Sequence, residues 1–100
     1  MDVNAFQPNG STVSLTAGTS TGSVALTGGG SGSNVRVYNS GTVVAFVNFG
    51  TSTVTAAVAS GMPIAPGAVE MFTLPQSVTH AAAITAAGTP VLYFTTGQGI

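Results

Sequence analysis

Residues 42–49 read Thr42-Val43-Val44-Ala45-Phe46-Val47-Asn48-Phe49, and the reading of this stretch decides the fold class. It is rich in β-branched and aromatic side chains, which suit a pleated strand better than a helix interior. Alternation places Val43, Ala45, Val47 and Phe49 on one face, and Val44, Phe46 and Asn48 on the other. The run carries no charge and no proline, so an exposed edge position would invite aggregation. It belongs in the middle of a sheet. Edge positions suit the proline-interrupted Met62-Pro63-Ile64-Ala65-Pro66.

Outward from this stretch the same period of two recurs. Strands are expected at residues 12–16, 23–27, 34–39, 53–58, 68–74, 78–85 and 89–95, which with 42–49 makes about eight short strands at the spacing of a sandwich or barrel. Asn39-Ser40-Gly41 and Ala86-Ala87-Gly88 read as hairpin turns. The alanine-rich residues 81–87 are the one place where a helix competes. Gly28-Gly29-Gly30-Ser31-Gly32-Ser33 reads as a flexible linker. It lacks the lysine and the strand-to-helix setting of a phosphate loop. The fold class is therefore all-β, an antiparallel β-sandwich, with a jelly roll as one topology open to it. The chain is one domain, with Gly/Ser/Thr-rich strands and a loop over residues 1–33 and the main body over residues 34–100.

Three strands are apolar on both faces. Besides residues 42–49, Val69 and Met71 oppose Phe72 and Leu74, and Val91 and Tyr93 oppose Leu92 and Phe94. A sandwich strand needs only one apolar face, and each large side chain hidden contributes about 1.5–3 kcal/mol. The second face therefore needs a cover. Another subunit is one cover, which makes Phe46, Phe72 and Phe94 candidate interface residues; loops of the same chain are the alternative.

Charge narrows the function. Only 3% of residues are charged, against about 25% in ordinary globular proteins. With 44% hydrophobic residues the chain has the composition of a folded protein rather than a disordered one. A net charge of −1 gives weak colloidal repulsion, which favours association. Arg36 and Glu70 are the mid-chain charges, candidates to pair across strands or between subunits. A single arginine does not neutralise a phosphate backbone, so no nucleic-acid partner is expected. The longest apolar run falls far short of the roughly 20 residues of a membrane span. Residues 1–10 carry no basic segment or apolar run of a secretory signal, so synthesis in the cytoplasm is expected.

Candidate catalytic and metal chemistry is thin. Asp2, His80 and a serine would be needed for a triad, but no serine occupies a Gly-x-Ser-x-Gly elbow. His80 has no cysteine or second histidine to share a metal. We expect no enzyme, no catalytic residues, no cofactor and no metal.

The stretches Asn34-Val35-Arg36-Val37-Tyr38-Asn39 and Val44-Ala45-Phe46-Val47, with Met62-Pro63-Ile64, Pro66-Gly67-Ala68-Val69-Glu70 and Ala82-Ala83-Ile84-Thr85 downstream, resemble small virion proteins of tailed bacteriophages. The likeness is nearest to capsid decoration or cement proteins and related head-fibre modules, and it covers roughly residues 34–99. It implies a structural protein on the capsid surface of the virion that packs on the major capsid protein as a trimer or dimer. Other phage parts (tail, collar or fibre) share this composition. A carbohydrate-binding module using Tyr38 or Tyr93 as a sugar platform, with Arg36 and Asn48 as polar anchors, is the alternative from another class.

Overall fold

The structure, a computed structural model, describes residues 7–26, 34–73 and 78–98. Its strands are β1 (Gln7–Thr16), β2 (Gly22–Ala25), β3 (Asn34–Asn39), β4 (Ala45–Gly50), β5 (Met62–Ile64), β6 (Val69–Thr73), β7 (His80–Ile84) and β8 (Val91–Gln98). They form two four-stranded sheets, ordered β1-β8-β3-β6 (sheet I) and β2-β7-β4-β5 (sheet II). Every pairing is antiparallel, and the chain pairs first strand with last, second with seventh, third with sixth and fourth with fifth. A long hairpin folded over on itself in this way is the eight-stranded jelly roll.

The expected β-sandwich is thus present, and β4 sits inside its sheet while β5, with Pro63, takes an edge. Several local expectations change. Residues 53–58 form no strand, and the short β5 stands downstream of them. The strand expected at residue 42 begins at Ala45. The strand expected over residues 78–85 is present as β7, and the competing helix is not formed there. Leu74 and Gly28-Gly29-Gly30-Ser31-Gly32-Ser33 lie outside the described residues.

Neither expected hairpin is one. Asn39-Ser40-Gly41 carries the chain from sheet I to sheet II, and Ala86-Ala87-Gly88 carries it back. Both are crossovers, and glycine serves them for different reasons. Gly88 has φ +85°, a conformation that costs other residues roughly 1–2 kcal/mol. Gly41 lies against the buried Pro90, where a β-carbon would come within 2.6 Å of Pro90 Cα. The two crossovers therefore pack on each other.

The first crossover is held by Asn39, which is wholly buried. Its Nδ2 donates to the carbonyls of Val43 (2.9 Å) and Ile64 (3.0 Å), and its Oδ1 accepts from the Gly41 amide at 2.9 Å. Its backbone amide donates to Ala68 O, and its carbonyl accepts from Gly67 N. One side chain thus ties the end of β3, the approach to β4 and the end of β5, while its main chain holds the approach to β6.

Between the sheets, Val35, Val37, Leu92 and Phe94 of sheet I meet Ala45, Val47, Ile64, Ala81 and Ala83 of sheet II. Val13, Leu15, Val24, Phe49 and Phe72 pack around them. Three of the four edge strands are guarded. The β1–β8 register shifts between Pro8 and Thr12, β5 is short and carries Pro63, and β6 bears the exposed Glu70. Each device discourages further strand pairing.

Gly41→Ala should destabilise the fold by about 1–3 kcal/mol through overpacking against Pro90. Gly18→Ala, where nothing lies within 4 Å, is the control and should be near neutral. Urea unfolding of both variants checks this, and equal midpoints would contradict the packed crossovers.

Candidate interaction surface

The two sheets have unlike outer faces. On sheet II the register aligns Phe46 with Ile84 and Pro63, and Asn48 with Ala82. Ala82 points away from the core yet is fully buried. Its cover is the chain itself. Asn48 Nδ2, on β4, donates to Thr55 O at 3.0 Å. The next amide, Ala56 N, donates to Thr21 Oγ1, beside β2, at 2.8 Å. Because β7 lies between β4 and β2, the segment over residues 51–61 spans it. Small side chains on β7 let that segment approach, and Gly61 comes close to Phe46 Cβ. The loop alternative therefore holds for Phe46, which is half-buried beneath its own chain.

Sheet I has no such cover among the described residues. Its outer face is a grid set by the register. Thr12, Thr95, Arg36 and Met71 form one row across the sheet, and Ser14, Tyr93, Tyr38 and Val69 form the next. Tyr38, Tyr93 and Val69 are each about 40% exposed, unusual for large apolar surface held side by side. The tyrosine rings stack at 6.3 Å with planes 21° apart. Arg36, Tyr38, Val69, Tyr93 and Thr95 line a shallow depression of about 330 Å³. Thr95 Oγ1 is within 2.7 Å of Thr12 Oγ1, so that hydroxyl already has a partner.

The candidate interface residues are redistributed accordingly. Phe94 is wholly buried in the core. Phe72 aligns with the buried Val35, and its ring lies 5.3 Å from that of Phe49, which itself meets Phe94 edge-on at 6.3 Å. These rings face the interior of the sandwich, Phe94 within the core and Phe49 and Phe72 packed against it. The cause is register: Val35 and Val37 point inward, which fixes the faces of β6 and β8. Arg36 and Glu70 sit on adjacent strands, but Arg36 aligns with Met71 and Glu70 with Val37. They therefore project to opposite sides of the sheet and form no pair within the chain. The sugar-platform residues also separate: Arg36, Tyr38 and Tyr93 share one face, while Asn48 lies on the other sheet, with its amide engaged by Thr55 and its Oδ1 by Phe49 N.

His80 Nδ1 is hydrogen-bonded with Thr79 Oγ1 at 2.8 Å. Among the described residues no three His, Cys, Asp or Glu gather as metal ligands do. Asp2 lies outside the described residues.

Phe94→Ala should cost about 3–5 kcal/mol, as a core cavity does. Tyr93→Asp, one residue away, should cost no more than about 1.5 kcal/mol, chiefly the lost ring contact. Chemical unfolding measures both, and a larger loss for Tyr93→Asp would reverse the assignment of faces.

No family model matches the chain, and no curated protein sequence does. The fold is similar to a solved structure of Bacillus endospore appendages, described as a novel family of disulfide-linked pili. The TM-score is 0.61, with 99% of this chain and 94% of that one covered at 14% identity. At that identity the likeness is one of fold.

Proposed function

We propose that this chain is a non-enzymatic structural subunit of a large protein assembly, acting in the manner of a capsid decoration protein on a virion surface. The observation that carries this reading is the outer face of sheet I, which no described residue covers. It holds Tyr38, Tyr93, Val69 and Met71 around a single guanidinium, a composition typical of interface centres, where aromatic residues and arginine dominate. The near absence of charge fits a chain that spends its life packed against protein. The resemblance of residues 34–99 to phage decoration proteins supplies the virion setting, with the major capsid protein as partner. The pilus similarity agrees with assembly in general, although a chain without cysteine has no means of disulfide linkage.

A second reading, a carbohydrate-binding module, has one observation in its favour: Tyr38, Tyr93 and Arg36 lie on one face. Against it, Asn48 is remote, Val69 offers nothing to a sugar hydroxyl, and the hydroxyl of Thr95, the other wall residue, already bonds that of Thr12.

Gradient sedimentation of lysate from the cells that make this chain tests the assembly reading. The parent chain should travel with a fast-sedimenting particle. The Tyr38→Asp/Tyr93→Asp variant, shown by circular dichroism to be folded, should remain near the top. A parent chain found free, or a variant retained on the particle, would overturn it.

A further inference from the structure

The described residues include one cation, Arg36, and one carboxylate, Glu70, and both are exposed. Arg36 lies in the depression on the outer face of sheet I. Glu70 aligns with Val37, whose side chain is fully buried, so it projects toward the opposite side, at the rim of the sandwich where β6 forms the sheet edge. One short strand therefore contributes Val69 to the depression and Glu70 to a surface facing the other way.

From this placement we propose that the occupant of the depression is the Glu70 edge of a second copy of this chain, docked head to tail, with the carboxylate on the Arg36 guanidinium. The inference rests on the assembly reading and names the partner. Charge complementarity carries it: the guanidinium fork accepts a carboxylate in a bidentate geometry, and the chain itself presents one. A symmetric face-to-face dimer does not satisfy this requirement. In a two-fold contact each patch meets itself, which would set Arg36 against Arg36 with no acid between them. Because the donating and receiving patches point to opposite sides, the contact is heterologous. It leaves a free patch at each end of every open oligomer, so it propagates into chains or closes into rings. Tyr38, Tyr93 and Val69 around the ion pair would exclude water from it, where a fully exposed pair would contribute little.

Sedimentation velocity on the purified chain over a concentration series tests the proposal, using the parent, Arg36→Glu, Glu70→Arg and the charge-swapped Arg36→Glu/Glu70→Arg chain. The parent should show a concentration-dependent series of species extending past the dimer. Each single variant should weaken association by roughly tenfold or more, and the swapped chain should regain it. Arg36→Gln is the milder substitution should Arg36→Glu disturb folding, and circular dichroism monitors all of them. A monomeric parent, a closed dimer as the end state, association retained in a single variant, or no recovery in the swapped chain would each overturn the proposal. If the purified parent is monomeric but still travels with a particle in lysate, the head-to-tail contact fails and the assembly role stands. If it is free in both, both fail.

Discussion

The arrangement of both sheets depends on a buried carboxamide. A jelly roll passes its chain repeatedly from one sheet to the other, and at each passage backbone groups leave one ladder before they join the next. Buried groups left unpaired there cost about 1–3 kcal/mol each. At the β3–β4 crossover Asn39 supplies the missing partners, two donors and one acceptor, to Val43, Ile64 and Gly41. Among the described residues no buried side-chain nitrogen or oxygen lacks a partner. The register that follows from this corner decides which face of β4 turns inward. A slip of one residue would exchange Val47 and Phe49 for Phe46 and Asn48, putting an amide into the core.

The same register creates the difference between the two outer faces. Sheet II carries apolar groups outward and hides them under residues 51–61, pinned by Asn48 and Thr21. Sheet I carries two tyrosines, Val69, Met71 and Arg36 outward, with no cover among the described residues. A protein with so few charges has little else with which to specify a contact, so the position of each charge matters. Arg36 and Glu70 point to opposite sides of the sheet, so the two charges do not meet within one chain.

Period-two patterning made much of the fold legible. Residues 34–39 form β3 with the expected bounds because Val35 and Val37 alternate cleanly with Arg36 and Tyr38. The central place of β4 and the edge place of Met62-Pro63-Ile64 followed from aggregation hazard and proline chemistry. What stayed hidden was everything set by long-range geometry. Glycine in Asn39-Ser40-Gly41 and Ala86-Ala87-Gly88 marks a sharp change of direction, and a hairpin and a crossover require it alike. Residues 42–49 are apolar on both faces, so alternation alone could not say which face turns inward, and Phe72 and Phe94 were given to an interface when the core claims them. Tyr38 and Tyr93 each stood out as a candidate sugar platform. Their alignment with each other, and with Arg36 in the next row, depends on the pairing of β3 with β8, across more than fifty residues of intervening chain.

The corner can be tested by an isosteric change. Asn39→Asp keeps the oxygen that accepts from Gly41 but replaces both donated hydrogen bonds with a carboxylate facing the carbonyls of Val43 and Ile64. Urea unfolding at neutral pH should show a loss of about 3 kcal/mol or more, as expected when a buried network is broken and an unpaired charge is left behind. Stability within about 0.5 kcal/mol of the parent, the usual range for a surface substitution, would contradict the account, because it would mean that the Asn39 carboxamide does not hold the two sheets together.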